Sequence, residues 1–351
     1  MKPRDRLLMA IKHQQPDLVP LFIRYVGAVS SKLSRIHGIA GRDLEIKLGN
    51  DGVIVQIGIN AEYSHKVVPD GERWTSEWGV TYEGMRGISQ PVDHPLKEPD
   101  VSGYIWPDPH KPERMAEIKQ AMARYHSDYA VMVDLSCTFL EAGYAHLRGM
   151  EKFMMDLHLS RDFACQVLDG LNTYYTALGV HAIEQGIDII RIGDDIAGQN
   201  GMLVPPKLWR ELVKPRMESM IHAFRKANPN IIVKYHSCGD FSAIIPDLID
   251  LGVDFIGTMQ PCGQQVDMAA IKAKYGDKLA FLGGLDTQQL LPNGSPEEVR
   301  EAVKDVLRSY APGGGYVFMP GHYVNLDVPL ENVWALLSAV HDYRRYPLNF
   351  D

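Results

Sequence analysis

Hydrophobic positions along the chain fall into two rhythms. From Ala130 onward, short β-branched runs alternate with longer stretches of helical pattern. That alternation predicts repeated βα units around a parallel sheet, hence an α/β fold. The expected strands are Ala130 to Asp134, Asp188 to Ile192, Ile231 to Tyr235, Val253 to Gly257, Leu279 to Leu282 and Tyr316 to Met319. Upstream, Val19 to Tyr25 and Gly52 to Ile57 supply further strands beside helix-like segments. Together they reach the count that closes a (β/α)8 TIM barrel, here preceded by an N-terminal helical extension.

The helices between the strands carry start signals. Ser295-Pro296-Glu297-Glu298 reads as a capping box with proline at the first helical position, ahead of Val299, Val303 and Val306 on one face. Ser160 is expected to open a long helix with Phe163, Val167, Leu171 and Leu178 as its apolar stripe and Cys165 packed within it. The stretch from Tyr63 to about Pro109 breaks the barrel rhythm: Arg73 to Tyr82 alternates like a hairpin and a proline-rich segment follows. It reads as an insertion at about 63–109 in a single domain spanning 1–351, either a lid and substrate wall or an edge ribbon that seals the barrel. The sequence shows no internal repeat, low-complexity tract or interdomain linker.

Composition narrows the partners. A chain of 351 residues, 45% hydrophobic and 23% charged, has the balance of a globular protein with a large core. The net charge is −8 and no dense Lys/Arg cluster occurs, which argues against a nucleic-acid partner. The apolar run Leu7 to Ile11 is broken by Lys12 too early for a secretory signal, and no run approaches a membrane span. A cytoplasmic location with no membrane association is the expectation. Four cysteines in this length make no disulfide framework, in keeping with a reducing compartment.

In such barrels the working face is the C-terminal rim, so the residues just after each strand are the candidates. His236-Ser237-Cys238 follows the run Ile231-Ile232-Val233, and side chains two apart on a strand share a face, so imidazole and thiol converge as soft metal ligands. Cys262 follows the next strand, and His322 follows the last in the turn Pro320-Gly321-His322. A catalytic zinc needs three such ligands and one open place. Arg24 and Tyr25 end the first strand, Glu141 follows the third with Cys137 before it, and Asp194 and Asp195 follow the fourth. Met259, Gln260 and Asp286 complete the rim. For the two aspartates the open readings are general base, anchor for a metal-bound imidazole, substrate acceptor, or N-cap of the turn leading to Leu203-Val204-Pro205-Pro206. Glu141 is a ligand candidate or a charge near a helix N-terminus. Cys137 reads as wall or core, and the glycines of Gly283-Gly284 and Gly313-Gly314-Gly315 as turn residues without phosphate-cradling spacing.

These residues resemble a known family. The opening Arg4 to Pro20 is similar to that of the uroporphyrinogen decarboxylase superfamily, as are Asp194-Asp195, Lys234 to Gly239, Gly283 to Asp286 and the Pro320-Gly321-His322 turn. The similarity runs nearly end to end. It implies a TIM barrel and one of two activities: decarboxylation of a porphyrinogen, or zinc-dependent methyl transfer with a corrinoid protein or a thiol. The His-x-Cys triplet resembles the second branch, with His322 where the methyltransferases usually place a final cysteine, and Gln260 and Cys262 near a further ligand position. Phe22-Ile23-Arg24-Tyr25-Val26-Gly27 keeps one arginine of the Arg-Gln-Ala-Gly-Arg type motif that grips porphyrinogen carboxylates, which disfavours a polyanionic porphyrinogen.

The resemblance therefore implies a zinc-dependent methyltransferase with metal ligands His236, Cys238, His322 and Cys262. Asp194, Asp195 and Tyr25 orient the substrate, with Arg24, Glu141, Met259, Gln260 and Asp286 around it. The implied partners are a corrinoid protein and a small methylated substrate, and a homodimer is the commonest assembly for such enzymes. The aromatic insertion (Trp74, Trp78, Tyr82, Trp106) suits an aryl methyl ether. The rival activity is a metal-free decarboxylase or lyase of a small carboxylate, with Arg24 holding the acid and His322 or Asp195 moving the proton. A third reading is a corrinoid-protein binding module without turnover.

Overall fold

The computed structural model of the protein describes residues 1–57, 68–86, 88–261 and 267–350. The barrel begins with β1 (Gly52–Gln56). An antiparallel ribbon of β2 (Arg73–Thr75), β3 (Thr81–Met85) and β4 (Ile88–Asp93) follows. The barrel resumes with β5 (Ala130–Cys137) and β6 (Ile189–Gly193), and a short hairpin of β7 (Ala197–Gly198) and β8 (Gly201–Met202) interrupts it. It ends with β9 (Ile232–His236), β10 (Phe255–Met259), β11 (Ala280–Gly283) and β12 (Tyr316–Val317). The seven strands of the curled sheet run parallel in the order β1-β5-β6-β9-β10-β11-β12.

The segment expected as the first strand, Val19 to Tyr25, fills the seam between β12 and β1 without forming a regular ladder. Phe22 N–H donates to Phe318 O at 3.0 Å, and Phe318 N–H donates to Pro20 O at 2.8 Å. Pro20 has no N–H to give, which spoils a continuous ladder. On the β1 side, side chains stand in for strand bonds: Leu21 N–H donates to Asp51 and Ile23 N–H to Asn50, both at 2.8 Å. The barrel is thus closed at this seam by a strand that hydrogen-bond patterning alone does not register.

Elsewhere the strand ends differ from expectation by a few residues. β5 runs on to Cys137 through an irregularity after Asp134, with Ser136 at φ 66°, a conformation uncommon for a residue with a side chain. β12 stops at Val317. Ser295 and Glu298 form both halves of the capping box, at 3.2 and 2.7 Å. Ser160 precedes the helix Arg161–Ile183, but its side chain makes no capping bond.

Parity along the strands sorts the side chains into layers, because alternate residues face opposite sides. Inside the barrel, Phe22, Ile54, Met132, Ile189, Ile232, Phe255 and Val317 form an apolar plug with Leu7 and Ile11 of the helix Pro3–Ile11. Two residues further along, Gln56, Asp134, Arg191 and Lys234 replace apolar groups with polar ones and border a cavity. The opposite faces, with Val53, Val133, Ile190 and Val233, pack outward on the helices. Each such buried aliphatic contributes roughly 1.5–3 kcal/mol.

The ribbon stands beside this barrel. Trp74 stacks on Tyr82 with centroids 4.7 Å apart, and Trp78 meets Tyr174 of the helix Arg161–Ile183 edge-on at 4.8 Å. Gly170 of that helix lacks a Cβ at the place where the Trp106 ring lies. No described residue of the insertion borders the barrel cavity, and Trp74, Trp78, Tyr82 and Trp106 pack in the outer layer.

Candidate metal centre

The centre is built by strand ends. His236 closes β9, and Cys238 stands two residues on at the rim. His322 comes from the turn after β12, which is pinned by Gly321 N–H donating to Leu285 O at 2.7 Å. One ligand atom from each of the three lies within 4.8 Å of the others, and His236 Nε2 is 3.8 Å from Cys238 Sγ. Gly239 follows at φ 74°, with the Ala197 and Gly198 carbonyls where a Cβ would sit, so the loop carrying Cys238 presses flat against β7. A larger residue at Gly239 would lift Cys238 from the cluster.

The surroundings suit ligation. His236 Nδ1 lies 3.1 Å from Gly257 O and 3.2 Å from the Thr258 N–H, two backbone contacts that orient the ring with Nε2 facing Cys238. Burial, with Arg191 adding, pulls the His236 imidazole down to about 4, and burial lowers His322 as well, so both rings offer lone pairs at neutral pH. Burial and then the Asp195 charge push the Cys238 thiol up to about 12. A thiol in such a place releases its proton when a cation arrives. The donor set therefore fits a zinc ion held by His236, Cys238 and His322.

Asp195 backs this cluster. Its carboxylate accepts the Cys238 N–H at 2.8 Å and lies 3.4 Å from His236 Nε2. Burial opposes its charge, but His236 and the Cys238 amide together hold it well below the usual carboxylate range. Asp194 is turned away: fully buried, it accepts the N–H groups of Leu140 and Glu141 at 3.0 and 2.7 Å. It caps the turn after β5 rather than the one leading to Leu203, and burial pushes it up to about 8. Glu141 accepts the Asp195 N–H at 2.9 Å, and burial, with Asp195 adding, raises it to about 7.

The remaining sequence candidates divide. Arg24 and Glu141 border the cavity. Tyr25 does not: one residue on from Arg24 it faces the outer layer, buried, with its hydroxyl unpartnered among the described residues. Met259 and Gln260 line a smaller pocket beside Phe241, and Gln260 Oε1 accepts the Gly239 N–H at 3.1 Å. Asp286 accepts the N–H groups of Gln288 and Gln289 in its own turn and stands apart from the cavity. Cys262 lies outside the described residues. Cys137 borders the cavity, with its thiol 3.5 Å from His146 Nε2.

Beneath the cluster lies a cavity of about 200 Å³. Its wall includes Asp134, Arg191 and Lys234, which strand reading passed over as strand interior. The signal was present: each is a charged residue in an otherwise apolar run, and Lys234 shares the parity of His236. Asp134 and Arg191 form an ion pair. Burial, with Arg191 adding, lowers Lys234 to about 7.

A parallel barrel with a His/Cys/His cluster over a charged cavity at the C-terminal strand ends has the layout of a barrel with its site at the catalytic face. The family model for uroporphyrinogen decarboxylase (URO-D) matches residues 78–343, and the chain belongs to that family. It is 26% identical over 209 residues to a uroporphyrinogen decarboxylase of Legionella pneumophila, covering 59% of this chain and 55% of that protein. To the one of Coxiella burnetii it is 28% identical over 188 residues, covering 53% and 49%. The chain thus spans about half the length of the curated relatives it matches. A solved methyltransferase from Methanosarcina mazei shares the fold, with a TM-score of 0.71 at 19% identity over 97% of this chain and 99% of that one. Among the described residues no helix is long and apolar enough to cross a membrane.

Proposed function

We propose that the chain is a zinc-dependent methyltransferase that moves a methyl group between a small methylated substrate and a corrinoid protein or a thiol. The observation that carries this is the cluster of His236, Cys238 and His322 at the mouth of the barrel cavity. The fold shared with a protein described as a methyltransferase supports it. Bound zinc supplies Lewis acidity at the heteroatom that carries the methyl group. The protein's own residues prepare the place. The backbone of Gly257 and Thr258 orients the His236 ring, Asp195 holds the Cys238 backbone, and Cys238 Sγ would give up its proton on ligation. The methyl acceptor enters by the same mouth, where Glu141 is poised to hold or release a proton near neutral pH.

Metal analysis of the purified protein tests the reading. The wild type is expected to hold about one zinc per chain, and His236→Ala and Cys238→Ala to lose most of it together with methyl transfer to a reduced corrinoid protein. Arg24 at the cavity wall also fits the rival, a metal-free decarboxylase of a small acid. A zinc-free wild type, or zinc content unchanged in His236→Ala, decides for that rival.

A further inference from the structure

Most charges buried in the barrel are paired. Arg191 is bound to Asp134, and Arg24 Nε lies 3.2 Å from Glu45. Lys234 differs. It is 4% exposed, its side chain borders the cavity, and Nζ has no hydrogen-bond or ion-pair partner among the described residues, lying 5.8 Å from the centre of the Phe255 ring. Arg24, although ion-paired with Glu45 through Nε, borders the same cavity and keeps an occluded Nη1 without a hydrogen-bond partner among the described residues. A buried donor left unmade is destabilising, more so when charged, and it is relieved when a ligand brings the acceptor.

We propose that Lys234 and Arg24 form a subsite for a carboxylate, so that the molecule placed under the His236/Cys238/His322 cluster is a small organic acid. Lys234 and His236 are two residues apart on β9 and share a face, roughly 7 Å apart along the strand. One compact molecule can therefore rest its acid group on Lys234 and Arg24 and present its other end to the cluster. A cavity of about 200 Å³ accommodates a short-chain or single-ring acid. That the presented end carries the methyl group rests on the methyltransferase reading; the acid subsite does not.

Calorimetric titration of the protein as purified tests this with 3-methoxybenzoate and methoxyacetate, each against its own amide. The acid of at least one pair is expected to bind about tenfold or more tighter than its amide, the value of a charge-assisted hydrogen bond. In Lys234→Met that preference is expected to collapse, and in Arg24→Met to shrink. Lys234→Met removes an unpaired buried amine, so its melting temperature should match or exceed the wild type; should it misfold, Arg24→Met carries the comparison. Equal binding of acid and amide, no binding of either acid, or a preference that survives in the variants overturns the subsite. Zinc content is read on the same samples. A zinc-free protein that still prefers acids keeps the subsite and loses the methyltransferase reading; a zinc-loaded protein indifferent to charge does the reverse.

Discussion

At the bottom of the barrel, Arg6 donates to Asp17 at 2.8 Å and to Asp51 Oδ1 at 2.5 Å, while Arg344 at 3.4 Å and the Leu21 N–H at 2.8 Å share Asp51 Oδ2. In the cavity wall above it, Lys234 and Arg24 keep donors with no acceptor among the described residues, and at the mouth Cys238 and two neutral imidazoles face one another across a gap. Both ends bury charge at similar depth. The lower network is closed on itself and joins the N-terminal helix, β1 and the last turn of the chain, whereas the upper one is complete only with something added. Closed networks hold a fold together, and open ones mark where a ligand belongs.

The comparison breaks most readily at Asp51. Asp51→Ala leaves Arg344 unpaired, removes one of two carboxylate partners from Arg6 and orphans the Leu21 N–H, so unfolding free energy should fall by about 3–5 kcal/mol. Chemical denaturation checks this. Zinc content of the folded fraction should stay unchanged, since the network lies at the opposite end from the cluster. A loss under about 1 kcal/mol would show that the lower charges are not what ties the barrel seam together.

That seam also shows what strand patterning reads and what it misses. The runs Ile189–Ile192 and Ile231–Val233 announce buried parallel strands because both faces are covered, and the places of His236 and Cys238 after the second follow from parity and rim position. Tyr25 and Arg24 are different: they lie in a segment held by the Asn50 and Asp51 side chains and not by a regular ladder, so which of the two faces inward depends on contacts distant in sequence. Asp194 was legible as a cap but not as the cap of Leu140, because its partner lies 54 residues upstream across a neighbouring strand. The ribbon's aromatics could be read as hydrophobic, while their target, the helix bearing Gly170, is set by tertiary packing. Lys234 was in plain view as an isolated cation in an apolar strand; what the sequence could not display was the lack of a partner.

Asp195 tests the upper end with a smaller effect. Asn in its place can still accept the Cys238 N–H but loses the charge beside His236 Nε2. Zinc affinity should drop by roughly 10–100-fold, the usual cost of disturbing the group behind a ligand, while the melting temperature stays near that of the wild type. Competition with a fluorescent chelator measures this. Wild-type affinity in Asp195→Asn would mean that the carboxylate serves the substrate or the loop and not the ligand set.

The smallest effect is expected at the exposed edge of the lower network. Hydrogen bonding to Arg6, against a smaller opposing burial effect, holds the Asp17 carboxyl down at about 2. A carboxyl that is more acidic folded than unfolded stabilises the fold above its ordinary value of about 3.9, and that contribution fades as pH falls toward the folded value. Because Asp17 is about a third exposed, solvent screening leaves it worth less than about 1 kcal/mol. Stability measured from about pH 5 down to pH 2 should therefore decline slightly more steeply in the wild type than in Asp17→Asn, the two curves converging at the acid end. Parallel curves would place the acid sensitivity elsewhere. They would also reduce the closed lower network to its buried members, Arg6, Asp51 and Arg344, with Asp17 a bystander at its rim.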